Sequence, residues 1–497
     1  MSVTDWLLEV EVAGRTLRYA TQARTVAGAI YRPGLLGDLD LAEGAEAAEI
    51  EVVSRDLQVL ADDLDGGTAT LSYLEEDEVT AYVSGPITDP ASGAPDEGVA
   101  FTITRDLPGV TLGTQVPSVT ARVDATTWPV TVGHQIGSDG LAYPVIFGYP
   151  GYTGAATPEC VVPAPLAQWL TLTQATSYVI VADDVDANVS SVRVKNTETL
   201  AETAQATVVV SDLLGQRVRA ANFLAGGLPG SPQYLLFVGY SPSGGGGAAR
   251  SLYDVIAYLL RRFAPESIDW ARLPQVRTVL EPFLVDSWVD APVSDPWVLI
   301  EGWLRDLSVE VRSGKKGRYF VARRYTADPA RIVGSIIAGA DARRASPYRR
   351  AGQPQNEVSV RCQQHPEQGW LYSVVACGSR RDVQPAGVNL GTSVIETALA
   401  RRSWAKYGRR AGVGIDLDWV WDTGTALAVA ERVLERTALP ATLVEYRLRP
   451  SLARGIREGD DVLLTDPERP WVEVPAIVDE PPSRTLDAVT LRLRVPQ

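Results

Sequence analysis

The segment GYSPS at residues 239–243 comes closest in this sequence to a catalytic motif. It resembles the nucleophile elbow GxSxG, with Ser243 in place of the final glycine. A working elbow needs a sharp turn from a strand into the next helix, and a histidine that activates the serine. The sequence has only two histidines, and His365 is the only one downstream of this segment. We therefore predict no serine-hydrolase site.

Two further segments carry partial ligand-binding patterns. SPSGGGGAAR, at 241–250, has the glycines of a phosphate loop but no lysine, so we interpret it as a linker. DDVDANVSS, at 183–191, spaces its oxygen ligands like a calcium loop. Val189 and Lys195 stand where such a loop needs glycine and a bidentate carboxylate, which favours a solvated turn.

Cysteine and histidine are too sparse to suggest metal chemistry. Cys160, Cys362 and Cys377 form no CxxC motif, and His134 and His365 lack the spacing of paired ligands. We predict no metal site, no cofactor and no catalytic residue. An odd, small number of cysteines also favours free thiols in a reducing cytoplasm over a disulfide framework.

Composition limits the remaining classes of protein. A chain of 497 residues is expected to fold as about three or four domains, and 45% hydrophobic residues exclude wholesale disorder. We expect no membrane span, because no run of about 18 apolar residues occurs. The N-terminus lacks a basic region, so we expect no signal peptide. A net charge of −15 argues against a surface that grips nucleic acid.

The elements that would position any site are mostly strands. Alternating apolar residues over 1–107 predict an antiparallel barrel, which we expect to be completed by strands at 205–240. Residues 108–204, rich in Pro, Gly and Thr, are predicted to form an inserted β-rich domain. The fold class we predict is mainly β with an α+β centre.

After the linker, the spacing of apolar residues changes from the alternation of strands to that of helices. Apolar residues at helical spacing within 251–345 predict a small α+β domain, with helices starting near Ser251 and Asp295. Residues 346–497 predict a second barrel accompanied by two helices, at about 392–407 and 424–438. The first of these helices is expected to open with Ser393 and Glu396.

The loop YPVIFGYPGYTG begins with the alternation of a strand and then breaks at Gly148, Pro150 and Gly151. Tyr149 and Tyr152 lie among these breaks. Tyrosine offers an apolar ring with a polar end and is enriched at protein interfaces, so we predict an interface loop rather than a small-molecule pocket.

Taken in order, several short segments resemble the tail-hub, or baseplate-hub, proteins of tailed bacteriophages and phage-derived particles. They are the YPVIFGYPG loop, the helix SLYDVIAYLLRRF, the strand QNEVSVRC, the segment DLDWVWDTGTALAVAERVL and the strand pair ARGIREGDDVLLTD. The resemblance implies two tail-tube-like β-barrels in one chain, with smaller inserted domains. No lysozyme or peptidase module of the kind some hubs carry is evident.

The resemblance also implies an assembly. A homotrimer would present six similar barrels that adapt a sixfold tail tube to threefold tip components. The expected partners are the tail tube or distal tail protein, the tape-measure protein, and tail fibre or tip proteins. DNA would pass through without specific binding. The implied location is the virion tail tip, assembled in the cytoplasm of a bacterial host.

Glu49 and Glu51 alternate with Ile50 and Val52 and must face away from the barrel core, either to such a channel or to bulk solvent. We expect the channel surface to carry net negative charge, with few exposed arginines. Two other classes of function stay open. One is a carbohydrate-binding tail-tip adhesin that uses exposed Trp and Tyr, and the other is a peptidoglycan-degrading tail enzyme. Acidic pairs such as Glu75 and Glu76 are too abundant in this acidic chain to identify a glycosidase pair.

Overall fold

The fold is described from a computed structural model of the chain. The residues that the structure describes are 5–36, 41–42, 47–54, 57, 64, 66–75, 78–92, 98–104, 116, 145–148, the strands between 159 and 240, 250–289, 291–314, 317–365, 369–380, 391–453, 455–480, 482–484 and 488–496. The fold is mostly β, as the sequence predicts. None of the helices in these ranges is long and apolar enough to cross a membrane.

The strands and helices have the following bounds in chain order. The N-terminal strands are β1 (Asp5–Val12), β2 (Arg15–Ala20), β3 (Arg24–Val26), β4 (Ala29–Pro33), β5 (Leu35–Leu36), β6 (Leu41–Ala42), β7 (Ala47–Val52), β8 (Thr68–Glu75), β9 (Glu78–Ser92) and β10 (Val99–Thr104). The middle elements are β11 (Val145–Phe147), β12 (Glu159–Val161), β13 (Leu166–Leu170), β14 (Ala175–Ala182), β15 (Val189–Asn196), β16 (Glu202–Leu213), β17 (Gln216–Phe223), β18 (Tyr234–Tyr240), α1 (Leu252–Phe263), α2 (Arg277–Leu280), β19 (Ser287–Val289) and α3 (Pro296–Leu304). The C-terminal elements are β20 (Val309–Gly314), β21 (Gly317–Ala322), β22 (Ile332–Ile337), β23 (Ala342–Arg344), β24 (Arg349–Arg350), β25 (Glu357–His365), β26 (Gly369–Cys377), β27 (Gly391–Glu396), α4 (Ala398–Tyr407), β28 (Ala411–Asp416), α5 (Thr423–Thr437), β29 (Thr442–Leu448), β30 (Asp461–Asp466), β31 (Trp471–Val478), β32 (Ser483–Arg484) and β33 (Val489–Val495).

The chain divides into two compact units. One comprises Met1–Gly109, Val311–Gln353 and Leu439–Gln497, and the other comprises Val110–Glu310 and Pro354–Ala438. The first unit therefore contains both the N-terminal and the C-terminal β-rich regions, and the second contains the segments inserted between them.

The N-terminal sheet of the first unit, here called sheet I, has the strand order β3-β4-β2-β1-β8-β9-β10-β7-β5. Alternation along its strands separates two faces, since successive side chains point to opposite sides. Trp6, Leu8 and Val10 of β1 pack with Ile50 and Phe101 in one buried cluster. The positive φ of Ala13 and Gly14 makes the tight turn between β1 and β2.

The C-terminal sheet of the first unit, here called sheet II, has the order β22-β30-β31-β33-β29-β23. Its core contains Val444, Tyr446, Leu491 and Leu493, each at most 1% exposed. β24 also pairs with β29, and β32 pairs with both β33 and β6.

Sheets I and II share a four-strand order. In sheet I the meander β8-β9-β10 is followed by β7, which precedes it in the chain, and every pairing is antiparallel. In sheet II the meander β30-β31-β33 is followed by β29 in the same way. The two sheets differ at the fifth strand, because β1 pairs with β8 antiparallel whereas β22 pairs with β30 parallel.

Two predicted boundaries need correction. The strands at 205–240 do not complete the first barrel, because β16, β17 and β18 pair within a separate seven-stranded sheet of order β12-β18-β15-β16-β17-β14-β13. The two helices predicted within the second barrel belong to the other unit, where α5 contacts the four-stranded sheet β27-β26-β25-β28. Alternation identifies strands but does not say which strand a given edge pairs with.

Helix starts are predicted more accurately than these pairings. Ser251 accepts a hydrogen bond from the Asp254 backbone N–H at 3.1 Å, and Asp295 accepts one from Trp297 at 2.9 Å. The predicted start of α4 is wrong: Gly391–Glu396 is a strand, and Thr397 is the N-cap. The β-branched residues Thr392, Val394 and Ile395 favour the extended conformation.

Candidate interaction surfaces

Glu49 and Glu51 lie on the solvent-exposed side of β7, while Ala48, Ile50 and Val52 are buried. The pairing with β10 fixes this arrangement, since Ile50 stands opposite Phe101 and Glu49 stands opposite Thr102. Both carboxylates therefore point away from the core of sheet I. Whether they face a channel stays a prediction.

On the side of sheet I that carries these glutamates, here called face I, strands β8, β9 and β10 present mainly hydroxyl groups. The same side also holds a small buried apolar cluster, formed by Leu7, Ala20, Tyr31 and Leu74. Thr70 and Ser84 share a hydrogen bond of 2.8 Å across β8 and β9, and Thr88 and Thr104 share one of 3.3 Å across β9 and β10. Glu9 and Glu11 extend the same face along β1, opposite Thr70 and Thr68. Outside that apolar cluster, face I is polar and carries four glutamates.

One arginine from the neighbouring strand compensates part of this charge. Arg18 donates to Glu9 at 2.7 Å, and the Tyr31 hydroxyl donates to the same oxygen at 2.9 Å. Burial acts to raise the pKa of Glu9, but the hydrogen bonds from Arg18 and Tyr31 outweigh it and lower that pKa. Burial, and then the hydrogen bond to Glu9, raise the pKa of Tyr31 to about 12. Glu11, Glu49 and Glu51 form no ion pair within the described residues.

The matching side of sheet II, here called face II, has the opposite character. The registers align Ile50 with Tyr446 and Phe101 with Leu491, so Glu49 corresponds to Glu445 and Glu51 corresponds to Arg447. By the same alignment Thr102 and Thr104 correspond to Arg492 and Arg494. Face II therefore carries arginines at the positions where face I carries Glu51, Thr102 and Thr104.

Some of these arginines are neutralised within the fold. Arg492 donates to Glu480 at 2.8 Å, and Arg494, which is 7% exposed, donates to Asp479 at 2.7 Å. Arg447 is exposed, and so is Arg343, which stands directly opposite it on β23. The sequence does not reveal this pair, because the two arginines are brought together only by the pairing of β23 with β29.

A buried carboxylate, that of Asp466, lies on the core side of sheet II, behind face II. Asp466 accepts hydrogen bonds from the hydroxyls of Tyr446 and, at 2.6 Å, Tyr348. Burial alone would raise the pKa of Asp466, but these two tyrosine hydrogen bonds lower it. The charged form of Asp466 is therefore the one that the fold selects.

The base of the predicted interface loop is held rigidly by the second unit. β11 pairs with β19, and the ring of Phe147 makes edge contacts with Tyr258 and Trp303 at centroid distances of 6.3 and 5.8 Å. Gly148 follows, with a φ of +58°. Tyr149 and Tyr152 themselves lie outside the described residues.

Gly148 lies against a buried ion pair. A Cβ atom at this position would lie 2.1 Å from the Val285 carbonyl oxygen and 2.4 Å from Oδ1 of Asp286. Asp286 has no exposed surface and accepts hydrogen bonds from Arg250 at 2.9 and 3.2 Å. The sequence shows the glycine but gives no sign that a charge 138 positions later in the chain requires it.

No constellation suited to catalysis appears among the described residues. Burial raises the pKa of Cys362 to about 12 and raises that of Cys377 as well, which keeps both thiols protonated. No group of three or more His, Cys, Asp and Glu in the described ranges could hold a metal ion. His365 is buried, and His134 lies outside the described residues.

The chain matches no protein-family model and no curated protein. Among solved structures it is similar to the 43 kDa tail protein of prophage MuSo2 from Shewanella oneidensis, at 10% identity over 99% of this chain and 98% of that one, with a TM-score of 0.39. It is also similar to the tail protein from Neisseria meningitidis MC58, at 9% identity over 99% and 96% of the two chains, with a TM-score of 0.35.

A third similar structure comes from a native gene transfer agent particle, at 14% identity over 49% of this chain and 80% of that one, with a TM-score of 0.18. These relatives are tail proteins or parts of phage-like particles.

Proposed function

We propose that this protein is a structural, non-enzymatic hub of a phage tail tip or baseplate. The observation that carries the proposal is the repeated four-strand order of sheets I and II, with buried residues in matching register. It agrees with what the hub resemblance of the sequence implies, namely two tube-like β-barrels in one chain.

A chain with two similar barrels can join parts of different symmetry. Three copies around a threefold axis present six barrels, which match a sixfold tube on one side and threefold tip components on the other. Closed cyclic symmetry also limits growth, because every heterologous contact is used within the ring. The proposed assembly is therefore a homotrimer between the tail tube or distal tail protein and the fibre or tip proteins.

In this assembly face I lines part of the channel for DNA and the tape-measure protein. Its hydroxyls and its carboxylates, Glu49 and Glu51 among them, offer nothing that binds phosphate strongly. Like charges repel DNA, whereas exposed basic residues would retain it in a salt-dependent way. The loop with Tyr149 and Tyr152 would contact a neighbouring subunit or partner, from the rigid base at Gly148.

The test is cryo-electron microscopy of the assembled particle that contains this protein. We expect three copies in a ring around a central channel at the tail end, with sheets I and II alternating around the channel. The isolated chain is not a sufficient sample, because hub subunits can require their partners to close. Six copies, a single copy, or a peripheral position without a channel would refute the proposal.

A further inference from the structure

Face II borders an open groove of about 660 Å³ that is lined by several arginines. The groove lies where β23 pairs with β29, and its lining includes Arg343, Arg344, Arg447 and Arg449. Arg344 is paired with Glu468 and contacts the ring of Tyr348. Within the described part of the chain, Arg343, Arg447 and Arg449 have no ion pair and no side-chain hydrogen bond.

The position of two of these arginines is unfavourable in the free protein. Arg343 and Arg447 are directly opposed across an antiparallel pair, and both are exposed. Like charges at directly opposed positions destabilise a sheet. An anion held between them would turn this repulsion into two charge-assisted interactions, since guanidinium groups bind carboxylates in a bidentate manner.

The third arginine, Arg449, defines the spacing that successive carboxylates of a bound peptide would need. Arg449 lies two residues beyond Arg447 and is exposed into the same groove. In an extended chain residues two apart are about 6.8 Å apart on one side. An extended peptide whose acidic residues alternate with neutral ones repeats its carboxylates at that same spacing. It can therefore present successive carboxylates to Arg447 and Arg449.

The acidic residues that line the groove argue against nucleic acid as the occupant. The lining includes the carboxylates of Asp341, Asp466 and Glu468 beside the arginines, and these repel a continuous polyanion. A peptide can instead present neutral residues and backbone N–H donors to those carboxylates. None of the described residues that line the groove is aromatic, so nothing there stacks on bases in the way single-strand binders do.

We propose that this groove binds an extended acidic segment of a partner protein, with alternate carboxylates held by Arg343, Arg447 and Arg449. The inference is independent of the hub proposal, because it depends only on the surface of sheet II. It would hold for an adhesin or an enzyme with the same sheet.

The probe is a fluorescently labelled octapeptide of alternating threonine and glutamate, titrated against the full chain at low salt. The matched probe replaces every glutamate by glutamine. We expect the acidic peptide to bind at least about tenfold more tightly, because only its carboxylates can form charge-assisted hydrogen bonds with the arginines. Failure to saturate below about 1 mM, or equal binding of both peptides, would overturn the proposal.

Substitutions of single arginines test whether the peptide binds in this groove. R343Q and R447Q are each expected to weaken the acidic peptide about fivefold or more, given the strength of a charged hydrogen bond. The matched control is R349Q, which removes an equally exposed arginine of β24 outside the groove and is expected to leave binding unchanged. An equal loss in R349Q would show a general charge effect and defeat the proposal. A single-stranded DNA octamer that binds more tightly than the peptide would reassign the groove to nucleic acid and defeat it too.

Discussion

At the scale of single residues, one carboxylate of face I, that of Glu9, accepts two side-chain hydrogen bonds. Glu9 receives both Arg18 and the Tyr31 hydroxyl, so its ionised form is stabilised and its pKa is lowered. Tyr31 is only 7% exposed, and its pKa is raised to about 12 because the buried phenolate would be poorly solvated and would face Glu9. The two groups therefore couple stability to pH in opposite directions.

The alkaline side gives the clearer prediction. An unfolded tyrosine ionises near pH 10, whereas Tyr31 stays protonated in the fold up to about pH 12. The contribution of Tyr31 to the free energy of unfolding is fully present below about pH 10. It is lost as the pH rises towards 12, to a maximum of about 3 kcal/mol. We expect Y31F to lose about 1 kcal/mol at neutral pH, through the missing hydrogen bond, but to decline less between pH 10 and 12.

The measurement is thermal unfolding of both proteins across pH 7–12, at about half-unit steps. Y253F is a suitable control, because Tyr253 contacts Arg277 and not Glu9. Parallel decline of wild type and Y31F above pH 10 would show that Tyr31 has no part in the alkaline loss. On the acid side, the lowered pKa of Glu9 predicts stability that is present above the unfolded value and lost as the pH falls below it.

At the scale of elements, the interface loop depends on how β11 ends. Gly148 has a left-handed φ of +58° and sits against the Val285 carbonyl and the Arg250–Asp286 pair. Replacing it by alanine adds a backbone strain of about 1–2 kcal/mol and a carbon that must displace a backbone carbonyl. We expect G148A to lower the stability of the second unit by about 3 kcal/mol or more.

Hydrogen exchange of the β11 and β19 amides measures this effect locally, and we expect it to accelerate in G148A. The matched control is G302A, because Gly302 lies in α3 with nothing within 4 Å of its Cβ position. Alanine there is expected to stabilise the helix by up to about 1 kcal/mol. If G148A exchanged like wild type, the loop base would not be rigid and its role as a platform would have to be abandoned.

Elements also show where sequence reasoning succeeds and fails. Period-two alternation identified β1, β7 and β10 and placed Glu49 and Glu51 on the exposed face, because alternation is a local property. Caps such as Ser251 and Asp295 were found for the same reason. The assignment of residues 205–240 to the first barrel failed because pairing partners are chosen by long-range packing. The Arg343–Arg447 pair was missed on the same grounds, since more than a hundred residues separate the two.

At the scale of the whole molecule, charged residues are distributed unevenly between the two faces, which the net charge of the chain does not show. The chain has a net charge of −15, yet face I is acidic whereas face II exposes arginines. In a trimer with alternating barrels, the acidic face would occur three times around the channel. A DNA conduit would then depend on face I for repulsion, while the arginines of face II would be engaged by protein partners.

This division leads to a prediction for assembled particles that carry E49K and E51K together. Both side chains are exposed and face away from the core, so we expect the trimer to assemble nearly as in wild type. The net charge of each chain rises by four, since a +1 group replaces a −1 group at each of the two positions. DNA release is then expected to slow at least severalfold at low salt, and the delay to shrink as salt rises, because added ions screen lysine–phosphate attraction beyond about 10 Å at 0.1 M.

The rate is measured by fluorescence of an intercalating dye as DNA leaves the particle, at low and at high salt. E49Q with E51Q separates loss of repulsion from gain of attraction, and we expect it to slow release much less than the lysine variant. Release of the lysine variant at the wild-type rate in low salt, from particles with a normal ring, would remove these glutamates from the channel wall.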